Sequence, residues 1–295
     1  MKVSDSFDFP KIMNNFSLQF LTEKTVAVTQ GLDSNAGAIA FDDFIVMVDT
    51  TMKPRSARHF RQLVETHFQL PVKFLLITHH HTDHSFGAVA FADTCIVGST
   101  PLAETLTRRK ATEWTPEGFA EWKRQTPADA EWLDQVEVLL PTIRFDDAIT
   151  ICDSRRRVEL PHVGGHTSCS TYAYLPDENI VFTGDLLFAD AFPYSGDATC
   201  DPERWMNVLK GLLALDVERF VPGHGAICGK ETVEKELRFL QQLKTATIET
   251  IQRGDDWRQI HAPATFDVTP DMFWLKEQSL QRFHAFYSQA DRTGF

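Results

Sequence analysis

The sequence predicts an α+β fold of two β-rich halves, and three observations carry that prediction. Short β-rich runs recur between turn signals in two separate regions of the chain. Each region closes with a helical stretch and then a strand that runs into a histidine loop. From Lys230 onward the pattern changes and reads as mostly helical.

In the first half, FSLQFL, TVAVTQ, AGAIAF and FIVMVDT read as strands of a meandering sheet, separated by charged or small residues. Pro54 opens a helix over RSARHFRQLVETHF, with proline at its first turn and apolar residues near a 3.6 period. VKFLLIT follows, a continuous apolar run that predicts a strand buried on both faces. The stretch from Ala103 to Leu140 breaks this rhythm. It is charged, helix-prone and carries Trp114, Trp122 and Trp132, so it reads as a helical insertion, either a surface subdomain packed on its own tryptophans or a lid.

TIRF, AITICD, RRRVELPHV, TYAYL and NIVFTGD read as the strands of the second half. DPERWMNVLKGLLAL predicts a helix with an aspartate cap and an early proline, and RFVPGHG another strand. ETVEKELRFLQQLKTATIETIQR and DMFWLKEQSLQRFHAFYSQ give the helical C-terminus. No Pro/Gly/Ser-rich linker divides the chain. The expected organisation is one domain over residues 1–230, with the insertion at about 103–140, and a helical extension over 231–295 packed on it.

Composition narrows the function classes. The chain has 295 residues, 43% hydrophobic and 24% charged, which suits a large core. The net charge of −12 repels phosphate backbones and argues against nucleic acid as a partner. No window approaches a membrane span, and the N-terminal residues hold no apolar stretch of signal-peptide length. Five scattered cysteines suggest no disulfide framework, so a cytoplasmic protein with reduced thiols and a small-molecule substrate is the expectation.

The chemistry sits in THHHTDHSFG, Thr78 to Gly87, directly after the buried strand. In an extended turn His79 and His81 project to one side, because side chains alternate. Asp83 and His84 point apart unless the turn tightens, which would swing both toward a neighbouring point. The spacing H-x-H-x-D-H can therefore serve two metal centres, with two ligands for each. That is too few for tetrahedral zinc with an open position, so further ligands must come from downstream loops. His166 in VGGHTSCS, Asp185 in IVFTGDLLF and His224 in FVPGHGAI each follow a predicted strand or a pair of glycines.

This set resembles the metallo-β-lactamase superfamily, whose fold is an αββα sandwich. The resemblance rests on His79, His81, Asp83 and His84, on Gly165-His166-Thr167, on Thr183-Gly184-Asp185 and on Gly223-His224-Gly225, with Asn35 and Asp49 as early landmarks. It implies that His79, His81 and His166 bind one metal, that Asp83, His84 and His224 bind the other, and that Asp185 bridges them. Common β-lactamases have Cys where this chain has Asp185, and the diiron flavoproteins have Glu where it has His81. The resemblance therefore points to the glyoxalase II, lactonase and general hydrolase branch.

The expected function is hydrolysis of a small ester, thioester or lactone by a hydroxide bridging two divalent ions. Zinc is the default, with iron and manganese also suited to such ligands. Asp83 is a candidate proton relay and Asp185 the bridging catalytic carboxylate. Asp49 is expected to fix imidazole tautomers. Tyr194, in AFPYSGD, is a candidate donor to a substrate oxygen. Cys169 departs from the family pattern and is expected to pack or to touch the groups behind the ligands. His80 is expected to face away from the metals, and His162 to be structural. β-Lactam hydrolysis is the alternative activity; a mononuclear-iron persulfide oxygenase, phosphodiester cleavage and a non-catalytic metal scaffold fit the residues less well.

Overall fold

The computed structural model describes residues 17–29, 33–266 and 268–293. Among them, seven strands form one sheet in the order β1 to β7: Gln19–Phe20, Thr25–Val28, Ala36–Ala40, Ile45–Val48, Val72–Leu76, Cys95–Ser99 and Ile143–Phe145. Pairing is antiparallel from β1 to β4 and parallel from β4 to β7. A second sheet of five strands runs β8 to β12: Ala148–Cys152, Arg157–Pro161, Ala173–Leu175, Ile180–Phe188 and Arg219–His224. Only its last pair, β11 with β12, is parallel.

The helices are α1 (Pro54–Phe68), the single turn α2 (Thr82–Ser85), α3 (Thr100–Thr112), α4 (Pro116–Gln125), α5 (Ala130–Leu133), α6 (Pro202–Ala214), α7 (Lys230–Gln252) and α8 (Phe273–Thr293). α1 starts at Pro54 and ends where Gln69 turns left-handed at φ 55°. None of the described helices is long and apolar enough to cross a membrane.

Strand alternation divides the core into layers. Along β4, Ile45 and Met47 join the cluster that includes Phe60 and Val64 of α1, while Val46 and Val48 face the second sheet. Between the sheets they meet Val158, Leu160, Phe182 and Val221. The outer face of the second sheet is covered by α6, α7 and α8, through Trp205, Leu209, Phe239, Leu243 and Phe283. Full burial of one such side chain stabilises the fold by roughly 1.5–3 kcal/mol. The result is helices, two sheets and helices again, with the C-terminal helices forming part of the second outer layer.

Three features differ from the sequence reading. β6, Cys95–Ser99, goes unread because its five residues sit in an apolar stretch whose periodicity does not separate strand from helix. The tryptophan-bearing segment that holds α3 to α5 joins β6 to β7 and does not form a surface subdomain of its own. Trp114 and Trp132 are buried in the same cluster as α1, and Trp114 packs edge-on against Phe86, 5.0 Å away. Of the first predicted strand only Gln19–Phe20 pairs, and Phe16 lies outside the described residues.

Candidate metal centre

The site forms where β4, β5, β11 and β12 end. Asp49, just past β4, adopts φ 59°, a strained conformation for a non-glycine residue. Its carboxylate accepts from the Thr78 backbone N–H and hydroxyl, both at 2.8 Å, which fixes the strand exit ahead of the histidines. The same carboxylate lies 2.8 Å from His84 Nδ1. Thr78 Oγ1 lies 3.1 Å from His79 Nδ1. Both rings are thereby oriented with Nε2 free to face the centre.

The turn tightens at Thr82, and this decides how Asp83 and His84 are used. α2 swings them to one point, with His84 Nε2 3.5 Å from Asp83 Oδ2. The hydroxyl of Thr50 donates to His84 O and that of Ser34 to Asp83 O, holding the turn from below. His166 follows Gly164 and Gly165 at φ 64° and 103°. A Cβ on Gly165 would press on the Trp205 backbone at 3.0 Å, so glycine is needed for this approach. Asp185 lies within β11 at an irregularity of its pairing with β12, which re-aims the side chain. The loop carrying His224 is clamped by Asn35, whose side chain donates to Pro222 O and Gly225 O at 2.8 Å.

These residues assemble two groups of four donor atoms. In the first, Asp185 Oδ2 lies 3.5 Å from His79 Nε2, 3.9 Å from His81 Nδ1 and 3.5 Å from His166 Nε2, and the last two nitrogens are 3.1 Å apart. In the second, Asp185 Oδ1 lies 3.0 Å from His84 Nε2 and 3.4 Å from His224 Nε2. Asp83 Oδ2 completes it, 3.2 Å from His224 Nε2. A tetrahedral ion with ligands about 2.0–2.1 Å away needs donors about 3.3 Å apart. The donor distances of the two groups, 3.0–3.9 Å, bracket that spacing. His79 Nε2, His84 Nε2 and Asp185 Oδ1 are buried without a hydrogen-bond partner, an arrangement that is costly unless a cation takes the lone pairs. The donor set is of the kind that fits divalent metal ions.

Burial holds His79 well below its ordinary pKa and lowers His166 to about 3, so both imidazoles are neutral. Burial also opposes charge on His84 and His224, but the Asp185 and Asp83 carboxylates outweigh it. His84 rises well above the usual range and His224 to about 10. Asp83 and Asp185 are desolvated too, yet His84 and His224 keep both below the usual carboxylate range.

The sequence reading missed Asp197. Its Oδ2 lies 3.2 Å from His80 Nε2, 3.4 Å from His81 Nε2 and 3.5 Å from Arg109 Nη2. Its Oδ1 accepts from the Thr199 N–H and hydroxyl. Despite burial, these partners keep Asp197 ionised. His81 is thus held through Nε2 with Nδ1 toward the first group. An aspartate in a loop between Gly196 and Ala198 carries no pattern that distinguishes it from a turn residue. Arg109, also missed, reaches the site from α3.

The other sequence candidates fall around this centre. His80 stands behind the donor groups, with Nδ1 3.3 Å from Cys169 Sγ, and the buried Cys169 reaches the site through His80 and Thr167. Burial pushes the Cys169 thiol up to about 11. His162 faces the backbone oxygens of Asp146 and Ser168. The Tyr194 ring lies 5.9 Å from that of His81, and its hydroxyl donates to Gln278 Oε1 at 2.8 Å. A cavity of about 680 Å³ opens above, with His81, Asp83, Asp185 and His224 at its floor.

Comparison with known proteins agrees with this architecture. The chain is 26% identical over 223 residues to the 2,4-dinitroanisole O-demethylase subunit alpha of a Nocardioides species, covering 74% of this chain and 61% of that one. It is 30% identical over 167 residues to the hydroxyacylglutathione hydrolase of Brucella ovis, covering 56% and 51%. It therefore spans only about half to three fifths of these curated relatives. A metallo-beta-lactamase from Pontibacter korlensis has the same fold, at TM-score 0.59, 20% identity, and coverage of 77% of this chain and 99% of that one. The sequence pattern of the metallo-beta-lactamase superfamily matches residues 29–224, which carry every donor of both groups. The chain belongs to the metallo-beta-lactamase superfamily.

Proposed function

We propose that this protein is a dinuclear, zinc-dependent hydrolase of a small ester, thioester or lactone. The observation that supports it best is the placement of Asp185, whose two oxygens each complete one group of four donors. His79, His81 and His166 would hold one ion, Asp83, His84 and His224 the other, with Asp185 shared. When bound, such ions supply Lewis acidity toward a carbonyl oxygen and lower the pKa of a water toward neutrality.

The chain's own residues prepare the rest. Asp49 and Thr78 fix the ring orientations of His84 and His79, and Asp197 fixes that of His81. Hydrolysis adds the oxygen of water to the acyl carbon, breaks the bond to the leaving group and returns a proton to it. Asp83, 18% exposed at the cavity floor and held ionised, is the carboxylate available to move that proton. Tyr194 borders the reacting volume.

The test is hydrolysis of a panel of acyl esters, thioesters including S-lactoylglutathione, lactones and β-lactams by zinc-loaded protein, with a chelator control. Chelator-sensitive acyl hydrolysis that Asp185→Asn abolishes, together with loss of bound metal, is the expected result. Full turnover in Asp185→Asn, or turnover indifferent to chelation, would overturn the proposal.

A further inference from the structure

We infer that the substrate carries a neutral apolar acyl chain, held by a wall that the C-terminal extension adds to the cavity; this rests on the hydrolase reading above. The cavity of about 680 Å³ falls within the usual range for small-molecule sites. Above the donor floor it is lined by Met52, Phe192, Val268, Met272, Trp274 and Leu275. The last four lie beyond residue 224, where the superfamily match ends. Most of this wall is thus supplied by this chain's extension, while Met52 and Phe192 come from the part that the superfamily pattern matches.

Exposure marks the same segment. Met272, Phe273 and Trp274 are 43%, 50% and 49% exposed, and with Phe20 they are the exposed large hydrophobics among the described residues. Single exposed apolar side chains are ordinary, but of these three consecutive ones Met272 and Trp274 line the cavity, which marks a surface that meets an apolar ligand. Tyr194 joins this wall to the floor. Its ring lies 6.0 Å from Trp274 and 5.9 Å from His81, and Gln278 fixes its hydroxyl.

Charge excludes a polyanionic tail. Among the described lining residues Arg109 is the one guanidinium or ammonium group. Glu113 at 3.2 Å and Asp197 at 3.5 Å already face it, and it stacks over Trp114. Asp33 at the rim is paired with Lys53 at 3.4 Å. Among the described lining residues no guanidinium or ammonium group is left over for the carboxylates of a glutathione-type conjugate, and burying them against Trp274 and Met272 would cost their hydration. A methylene chain loses nothing there. Each methylene removed from water gains about 0.8 kcal/mol, or about fourfold in binding.

The experiment measures two homologous series on the zinc-loaded full chain. One is equilibrium binding of alkan-2-ones of increasing length, which cannot be hydrolysed. The other is kcat/KM for p-nitrophenyl esters from acetyl to dodecanoyl, beside S-lactoylglutathione. The expected result is a rise of about fourfold per methylene in both until the cavity is filled, with the slope reduced in Trp274→Gln. Met272→Gln supplies the same reading should the first variant fail to fold. Ketone affinity independent of chain length overturns the inference, as does a higher kcat/KM for S-lactoylglutathione than for every long-chain ester. A dimer in sedimentation that Trp274→Gln dissociates, with flat ketone binding, would assign the wall to a second copy and overturn it too. Chain-length-dependent ketone binding without metal-dependent ester turnover would uphold the apolar wall and refute the hydrolase reading instead.

Discussion

Replacing Asp197 by Asn separates the two groups of donors. Asp197 Oδ2 stands 3.4 Å from His81 Nε2 and 3.2 Å from His80 Nε2, and it faces Arg109 at 3.5 Å. Of the two groups that share Asp185, His81 belongs to the first, and it also clusters with His80 and Asp197 itself; the second is oriented instead by Asp49, 2.8 Å from His84 Nδ1. Loss of a carboxylate behind a metal-bound histidine typically weakens metal affinity 10–100-fold, about 1.4–2.7 kcal/mol. Here the substitution also leaves the Arg109 cation with one acid fewer beside a site built to hold cations. The expected loss therefore lies toward the hundredfold end, at the first group alone. Competition against a chromophoric chelator, fitted with two sites, measures it, and circular dichroism checks the fold. Asp49→Asn should reverse the preference and weaken the second group. Unchanged affinity in Asp197→Asn, or equal loss at both sites, would refute the assignment of Asp197 as the residue that orients His81.

Three further outcomes follow from the same geometry. Gly223→Ala would drive a Cβ into Asp185 Oδ1 and the Gly184 backbone, so the second ion should bind at least tenfold more weakly; metal analysis after dialysis checks this, and two tightly held ions would contradict it. In the metal-free protein, against the pull of burial, the Asp185 and Asp83 carboxylates keep His84 charged and raise His224 to about 10, whereas burial leaves His79 and His166 uncharged. Metal entry at the second group should therefore displace about two protons near neutral pH and at the first at most about one, so rising pH strengthens the second site more steeply. Calorimetry in buffers of different ionisation enthalpy reads the difference, and equal release at both sites would count against it. Glu236 is fully buried and accepts from the Phe188 N–H at 2.7 Å, and burial raises its pKa well above the usual range. With the folded pKa raised, stability falls as pH climbs from the unfolded value of about 4.3 toward the folded one, by about 1.4 kcal/mol per unit. Glu236→Gln keeps the acceptor without the charge, so its melting temperature should exceed that of the parent by a margin that widens across this window; a constant margin would disprove the titration.

Local sequence determined much of this protein. The strands of both sheets apart from β6, the proline-led α1 and α6 and the C-terminal helices follow from alternation, periodicity and caps, which act within a few residues. The seven proposed metal-holding residues were legible too, because each histidine or aspartate sits at a strand end or beside glycines that let the backbone approach. Tertiary structure decided the rest. Whether Asp83 and His84 diverge or converge depended on the tightening of α2, which Ser34 and Thr50 secure from distant parts of the chain. Trp114 and Trp132 read as the core of a surface subdomain until Phe86 and α1 claimed them for the first helical layer. Asp197 and Arg109 carried no local mark, since a carboxylate gains its meaning from what lies 3.2–3.5 Å away across the fold. The cavity wall formed by Trp274 and Leu275 belongs to the same class. Backbone preference is local, whereas the partners of a side chain are set by packing between segments far apart in sequence.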